Sequence, residues 1–594
     1  MLCLRRRESV TLARKDRTPG MTTATKHALT LELLVGAGLF VLSAWLFFGG
    51  LGDAPFHDGD EALYTSISVE MLASGDLLTP RYCGELFLNK PPLPYWLMAL
   101  SMKSVPGSLE FKARFPSALA AMLLLIAVFI TGRRMAGIAA GTAAALLLML
   151  NHQVLFEHAG RSASFDALLM LLSFLAIVCG MHSRERRLAR VASAVCVSLA
   201  MLVKAPFALL PLGFVLIHQW FTDRRSAISY LRWTLGCVIV IALPWHIFQF
   251  AAHGREFWET YFVYEMFGRA GAAVTAYSSR FVHLKAFWLS FFPWSPLLIV
   301  AAVATLVRWR GAFDGNRDVA GGARRALWLF AAYGVFLLIA LCFFASKWPW
   351  YGLPAYPMLA VVGAVWATDA ARQKARWFFA LPVALAVLFV LRVLVFDANS
   401  LYNPAARSSY LWPGWTTLLW VAEKTPGAFE WIASAAVLAC ALAAVLMRHS
   451  RRAVIASTVV VSLSIFAACS WTAARVPREY RAEARGLVSE LNNQNYEAVY
   501  LLGFPHAPWY NDRMDPLASV YFLTTMRGTV KDCRNDPRCL PASLGGRTAL
   551  VFNFNAASQR DAIPRLLASL PPYGEKLEVW LLQTEGQKGY RRVK

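Results

Sequence analysis

The sequence predicts a mostly α-helical, polytopic membrane protein of about thirteen transmembrane helices, ending in a small C-terminal α/β domain on the outer side. Three observations carry this reading. The 594 residues are 57% hydrophobic and only 16% charged, with a mean hydropathy of +0.45, which lies outside the range of soluble chains. Apolar runs close to the length of a bilayer-spanning helix recur along the chain. Between them, Lys and Arg gather in every second loop, as cytoplasmic loops do.

Taken in order, residues 1–29 form a basic cytoplasmic N-terminus with Arg5, Arg6, Arg7, Arg14, Lys15 and Arg17, in which Met1 and Met21 are both possible starts. The apolar run after it has no convincing small-residue cleavage site and reads as a signal anchor. Spanning segments are expected at 30–48, 115–132, 135–151, 165–182, 190–203, 205–221, 232–250, 285–308, 326–345, 351–369, 376–396, 430–447 and 453–473. The inside loops then carry Arg133 and Arg134; Arg184, Arg186, Arg187 and Arg190; Arg224 and Arg225; Arg308, Arg310, Arg324 and Arg325; Arg372, Lys374 and Arg376; and Arg448, Arg451 and Arg452. The segments on either side of Lys204 are also readable as one helix kinked at Pro206.

Residues 30–474 therefore form the transmembrane domain, and an odd number of spans leaves 475–594 outside. The other outer regions are a first loop at 49–114, then 251–284 and 397–429. In the tail, a helix-like stretch from Pro477 to Leu491 precedes β-type runs at Val499–Phe504, Ala549–Phe554 and Leu577–Leu582, with a second helix-like piece over Ala556–Leu570. Cys533 and Cys539 flank a polar run there, and a disulfide between them suits an oxidising compartment. The net charge of +23 sits in short clusters beside apolar runs, which fits anionic membrane lipid and excludes nucleic acid as a partner.

Ionisable residues collect at the outer ends of the spans. Asp58, Asp60 and Glu61 precede a helical pattern over Ala62–Ala73; one of them suits a helix cap, but a cap does not account for three carboxylates. Lys90, before Pro91, Pro92, Tyr95 and Trp96, is either an interfacial snorkelling lysine or a phosphate ligand. Asp166 lies about one turn inside an apolar run, where a carboxylate is costly unless it faces a polar cavity, with Arg161 near enough to pair with it. His152, Glu157 and His158 have a spacing that fits no familiar metal site. Lys204 and Lys347 each stand at the outer end of a span just ahead of a proline, and Arg269 and Arg280 add guanidinium groups in the 251–284 loop beside Tyr261, Tyr264, Glu265 and Tyr277. A lipid-linked phosphate needs such cations and an apolar groove, while a sugar carbon undergoing displacement needs carboxylates.

The runs Asp60-Glu61-Ala62-Leu63-Tyr64, Lys90-Pro91-Pro92-Leu93-Pro94-Tyr95-Trp96, Phe165-Asp166, Val203-Lys204-Ala205-Pro206, Phe292-Pro293-Trp294 and Ser346-Lys347-Trp348-Pro349-Trp350-Tyr351-Gly352-Leu353-Pro354 together resemble the bacterial branch of the protein O-mannosyltransferase family. Within it they are most similar to the aminoarabinose transferases that modify lipid A. The resemblance runs from residue 30 to about 370, and the tail matches only in position. It implies a membrane glycosyltransferase of the GT-C fold in the bacterial inner membrane, with a periplasmic C-terminal domain. Such an enzyme uses an undecaprenyl-phosphate-linked sugar donor and passes the sugar to a lipid or glycan acceptor. It further implies Asp60 as the leading catalytic carboxylate, with Glu61 beside it and Asp166 as its partner. Lys90, Arg269 and Tyr351 would hold the departing prenyl phosphate, with Lys204 and Lys347 close by and Tyr64 in the substrate-binding set.

The chain departs from that branch at three places, one being Thr65, where the family has Ala after the first-loop Tyr. The family typically carries Glu before Lys-Pro-Pro and a His-Glu-His-like run in the later loop, able to bind zinc; here Asn89 and Tyr264-Glu265-Met266 stand instead. No metal ligand set is therefore expected, a divalent metal stays open as a cofactor, and the aminoarabinose substrate is not implied. The alternative function is a lipid or glycan transporter of flippase type, which would set charges near span centres rather than at their outer ends.

Overall fold

The computed structural model describes residues 23–56, 59–156, 158–268, 280–291, 294–308, 319–372, 482–502, 506–507, 513–514, 516–526, 529–532, 547–554, 577–583 and 589–592. The expected spans at 376–396, 430–447 and 453–473, the 397–429 loop, the helix over Ala556–Leu570, and Asp58, Glu157, Arg269, Tyr277, Phe292, Pro293, Cys533 and Cys539 lie outside these residues.

The described chain is mostly helical. Helix α1 (Thr23–Phe48) starts within the stretch expected to be the N-terminal arm. After it come α2 (Gly59–Ser74), a short antiparallel β1–β2 pair (Arg81–Tyr82 and Glu85–Leu86), α3 (Leu93–Ser104) and the long α4 (Leu109–Ala136). Ser108 caps α4 by accepting from the Phe111 N–H, and Arg133 and Arg134 stand in its last turn, where cations suit the helix dipole. Gly137, at φ +90, makes the turn into α5 (Ile138–Met149), a backbone conformation that residues with a Cβ rarely adopt. Helices α1 and α4 run antiparallel. Glu32 pairs with Arg133 at one end, and Arg161 donates to the carbonyls of Leu46, Phe47 and Gly49 at the other.

Beyond a short α6 (His152–Phe156) lie α7 (Asp166–Met181) and α8 (Arg187–Thr222). At Lys204 the backbone of α8 leaves helical geometry, at φ −151 and ψ 89. Pro206 gives the reason, since its ring crowds the preceding turn and it has no N–H to donate. Ser193, before the break, donates to the Ala176 carbonyl at 2.6 Å, and Gln219, after it, donates to the Gly180 carbonyl at 2.9 Å. Both halves thus lie against α7, and the chain doubles back at Lys204.

Helices α9 (Arg224–Ile241) and α10 (Leu243–Phe257) meet at a bend of 45°, and α10 continues into a π-helical stretch over Trp258–Gly268. The span expected at 285–308 is instead two helices, α11 (Val282–Ser290) and α12 (Ser295–Val307), bent by 116°. Helix α13 (Val319–Leu341) leads through a 3-10 turn, Pro349–Ala355, into α14 (Tyr356–Arg372). Among the described residues Leu109–Ala136, Arg187–Thr222 and Gly322–Leu341 are long and apolar enough to cross a bilayer, and the two bent pairs meet the same criterion jointly. The chain is a polytopic membrane protein.

Beyond residue 481, α15 (Ala482–Asn493) precedes β3 (Ala498–Leu502), the small antiparallel β4–β5 pair (His506–Ala507 and Arg513–Met514), α16 (Pro516–Thr525), β6 (Thr529–Asp532), β7 (Thr548–Phe554), β8 (Leu577–Gln583) and β9 (Gly589–Arg592). The five-stranded sheet runs β6-β3-β7-β8-β9, parallel except for β9. Clusters of buried apolar side chains hold these elements together. One fills the space between α4, α5, α7, α12, α13 and α14. Another joins the first loop, through Phe56, Leu63 and Tyr95, and Phe165 at the head of α7 to Leu487, Leu491, Tyr521 and Trp580 of the tail.

Candidate active site

Asp60 and Glu61 both stand in the first turn of α2, where the partial positive charge of the helix end favours carboxylates. Consecutive helical residues point about 100° apart, so the two part company. Glu61 turns inward and is fully buried. It accepts from Arg114 Nε at 2.6 Å and Nη2 at 3.0 Å, and from the Ala163 N–H at 2.9 Å. Arg114 spends its remaining donors on the carbonyls of Leu51, Ala54 and Pro55. Asp60 stays half-buried and accepts from the Tyr64 hydroxyl, one turn along, at 3.2 Å.

Tyr64 stacks on Phe165 with ring centroids 4.0 Å apart, and Tyr95 meets Phe165 edge-on at 5.3 Å. This aromatic cluster sets the α2 carboxylate beside the start of α7. Asp166 is the first residue of α7, not a residue one turn inside it. It is 2% exposed and accepts from Lys204 Nζ at 2.6 Å. The expected Asp166 partner, Arg161, lies elsewhere, on the end of α1, because those last carbonyls lack intrahelical donors. On the other side of Asp166, His158 Nδ1 stands 3.7 Å from its second oxygen, and the His158 ring stacks on Trp350 at 3.6 Å. Lys204 Nζ also lies 5.3 Å over the Tyr351 ring, a cation–π contact that brings the 3-10 turn to the same place. Lys347, almost buried, donates to the Ala345 carbonyl.

Lys90 forms an ion pair with the buried Glu265 on the π-helical stretch, and the Asn89 amide donates to the same carboxylate at 3.0 Å. Tyr95 lies between the two halves of the site. Burial, and then the negative charges of Asp60 and Glu265, push its hydroxyl well above the ordinary phenol value, so it stays protonated and able to donate. Its oxygen is buried and has no hydrogen-bond partner among the described residues.

The structure thus brings together Asp60, Tyr64, Asp166, Lys204 and Tyr351, and joins Lys90 to them through Tyr95 and Glu265. Arg269 is outside the described residues, four positions beyond Glu265 in sequence. From sequence, Glu265 reads only as a loop residue and Arg114 has no part. The signal for Arg114 was available, as a guanidinium at the outer edge of an apolar span demands a carboxylate. For zinc the donor set is poor. Asn89 and Glu265 supply an amide and one carboxylate, with the Lys90 ammonium already on that carboxylate, and the described residues hold no group of three metal-ligating side chains.

Comparisons with known proteins bear on the family resemblance and the fold. Residues 89–248 match the family model described as dolichyl-phosphate-mannose-protein mannosyltransferase. Among curated relatives, undecaprenyl phosphate-alpha-4-amino-4-deoxy-L-arabinose arabinosyl transferase 2 of Pseudomonas fluorescens is 30% identical over 358 residues, covering 57% of this chain and 56% of its own. An uncharacterized protein of Aquifex aeolicus is 27% identical over 366 residues, covering 60% and 68%. The chain therefore spans little more than half the length of the arabinosyl transferase it matches. The crystal structure of ArnT from Cupriavidus metallidurans bound to undecaprenyl phosphate superposes with a TM-score of 0.64 at 17% identity, over 91% of this chain and 95% of that one, and its apo state with 0.60. That likeness shows the fold. The resemblance read from the motifs, to GT-C glycosyltransferases of the aminoarabinose transferase type, is borne out by the family-model match, the similar relatives and the fold.

Proposed function

We propose that this chain is an inner-membrane glycosyltransferase that moves a sugar from an undecaprenyl-phosphate donor to a lipid or other envelope acceptor at the periplasmic face. The observation that carries this reading is the meeting of α2, α7 and α8, where the Tyr64–Phe165 stack sets the Asp60 helix against the head of α7 and Asp166 meets Lys204 and Tyr351. The charged side chains of this site sit at helix ends and in loops, the pattern of an interfacial enzyme rather than of a transport path through span centres.

In the proposed reaction an acceptor oxygen attacks the anomeric carbon as the bond from that carbon to the phosphate oxygen breaks, and the prenyl phosphate leaves as a phosphomonoester. The negative charge that grows on the leaving group falls to Lys90, with Arg269, Lys204 and Lys347 as further cations. Lys90 pairs with Glu265 and Lys204 with Asp166, so a donor phosphate would compete with carboxylates for its cations. Tyr351, under Lys204, bounds the same wall. Tyr95, protonated and buried between Asp60 and Glu265, is placed to donate to a sugar oxygen. Asp60 either orients the sugar, if the acceptor is an anionic phosphate, or takes the proton of a hydroxyl acceptor, a contribution of about a hundredfold to ten-thousandfold. Glu61, already saturated by Arg114 and the Ala163 N–H, acts as a positioning group for α2.

The test uses purified full-length protein in detergent with an envelope lipid extract as acceptor. Two donors are offered, undecaprenyl-phosphate 4-amino-4-deoxy-L-arabinose and undecaprenyl-phosphate mannose. We expect release of undecaprenyl phosphate with one of them, and a gain of one sugar mass on an extract lipid. Asp60→Asn should abolish both signals. Turnover of neither donor, or wild-type turnover by Asp60→Asn, would sink the proposal.

A further inference from the structure

We propose that Tyr521, in the C-terminal region, is a positioning residue for sugar transfer, because its hydroxyl fixes the backbone that leads into Asp60. This rests on the reading of Asp60 as the reacting carboxylate. Tyr521 lies on α16 and is 2% exposed. Its hydroxyl accepts from the Phe56 N–H at 3.1 Å and donates to Glu110 Oε1 at 2.9 Å, so both of its hydrogen-bonding roles are used. Its ring stacks on the Phe56 ring at 5.8 Å, and the Arg114 guanidinium lies 5.5 Å over that same Phe56 ring from the other direction of the network.

Phe56 stands four residues before Asp60. The stretch that precedes it has no regular structure of its own, and its carbonyls at Leu51, Ala54 and Pro55 are held by Arg114, which in turn grips Glu61. The chain entering α2 is therefore held at two points. One is Arg114, within the membrane domain. The other is the Phe56 N–H, whose partner comes from 465 residues away in sequence. Glu110, the acceptor of the Tyr521 hydroxyl, is itself 2% exposed and is also bound by Arg485 of α15 at 3.1 Å. Two helices of the tail thus converge on one buried carboxylate at the start of α4, next to the entry of the Asp60 helix.

A buried N–H and a buried carboxylate that lose their common partner keep their desolvation cost without its compensation, so the segment would shift to recover one. Displacements of about 1 Å at a reacting group can cost on the order of a hundredfold in rate. Tyr521→Phe keeps the ring and its stack while deleting only the hydroxyl. In the full-length protein, with undecaprenyl-phosphate 4-amino-4-deoxy-L-arabinose or undecaprenyl-phosphate mannose, whichever is turned over, we expect kcat to fall by about tenfold or more while the donor KM stays within about twofold, since no donor contact is removed. Amide hydrogen exchange should accelerate over residues 51–64 and stay unchanged over α7. Should Tyr521→Phe fail to fold, Arg485→Ala, on a half-exposed side chain, loosens Glu110 from the tail side and should produce the same exchange pattern with a smaller loss of kcat. Wild-type kcat in a folded variant, unchanged exchange at 51–64, or a loss carried wholly by KM overturns the proposal. Absence of turnover in the unsubstituted protein is the distinct signature of failure of the transferase reading, and takes this proposal with it.

Discussion

At the residue scale, two adjacent carboxylates divide into different tasks because a helix turns them apart. Glu61 is enclosed by Arg114 and the Ala163 N–H, while Asp60 keeps a half-exposed face toward Tyr64 and Tyr95. Glu61→Gln leaves Arg114 buried without its anion, which costs about 3–5 kcal/mol, so we expect a large drop in the thermal unfolding temperature in detergent. Asp60→Asn should leave unfolding near wild type and remove transfer. Equal loss of stability in both would show that the division is wrong. The Asp166–Lys204 pair allows a cycle of variants. Asp166→Asn and Lys204→Met each strand a buried charge or polar group, and the double variant should recover much of the lost stability without recovering activity.

At the scale of elements, the doubling back of α8 at Lys204 is what brings a lysine to the head of α7. Pro206 makes the break, and close packing holds the two halves. A Cβ on Gly180 would fall 2.6 Å from Val215 in the second half and 3.1 Å from Ser193 in the first. Gly180→Val should therefore push both halves from α7 at a cost of about 1–3 kcal/mol, read as a lower unfolding temperature with a weakened Lys204–Asp166 contact and slower transfer. Unchanged unfolding would mean that the contact is looser than its geometry. The element boundaries on both sides of Lys204 were legible from its proline and from the flanking Arg clusters. The 116° bend between α11 and α12 was not, because a continuous apolar run reads as one span whatever its direction.

At the scale of the whole molecule, the tail is a parallel-rich sheet whose strand β8 carries a buried carboxylate. Burial alone would raise the Glu578 carboxyl. Hydrogen bonds from Tyr496 and Arg547, with the charges of Arg547 and Arg592, outweigh it and hold the group below the usual range. A lowered carboxylate stabilises the fold fully above its unfolded value of about 4.3 and loses that contribution as the pH falls through the lower folded value. The melting advantage of the wild type over Glu578→Gln should accordingly be complete at neutral pH and shrink only below about pH 4.3. An advantage that instead shrinks as the pH rises toward neutrality would contradict the assignment.

The sequence by itself determined the class of molecule and pointed to most of the side chains of the proposed site. Hydropathy and the placement of Lys and Arg are properties of single segments against a bilayer, and they need no knowledge of neighbours. It also marked Asp60, Lys90, Asp166 and Lys204, because an ionisable group at the edge of an apolar run has to be explained wherever the run packs. Only the tertiary structure decided partners. It gave Arg114 to Glu61, Lys204 and His158 rather than Arg161 to Asp166, Glu265 to Lys90, and Tyr521 to the backbone before Asp60. Pairings of that kind join residues 8 to 465 positions apart. They depend on how helices pack and turn back, which periodicity and charge along one strand of sequence do not encode.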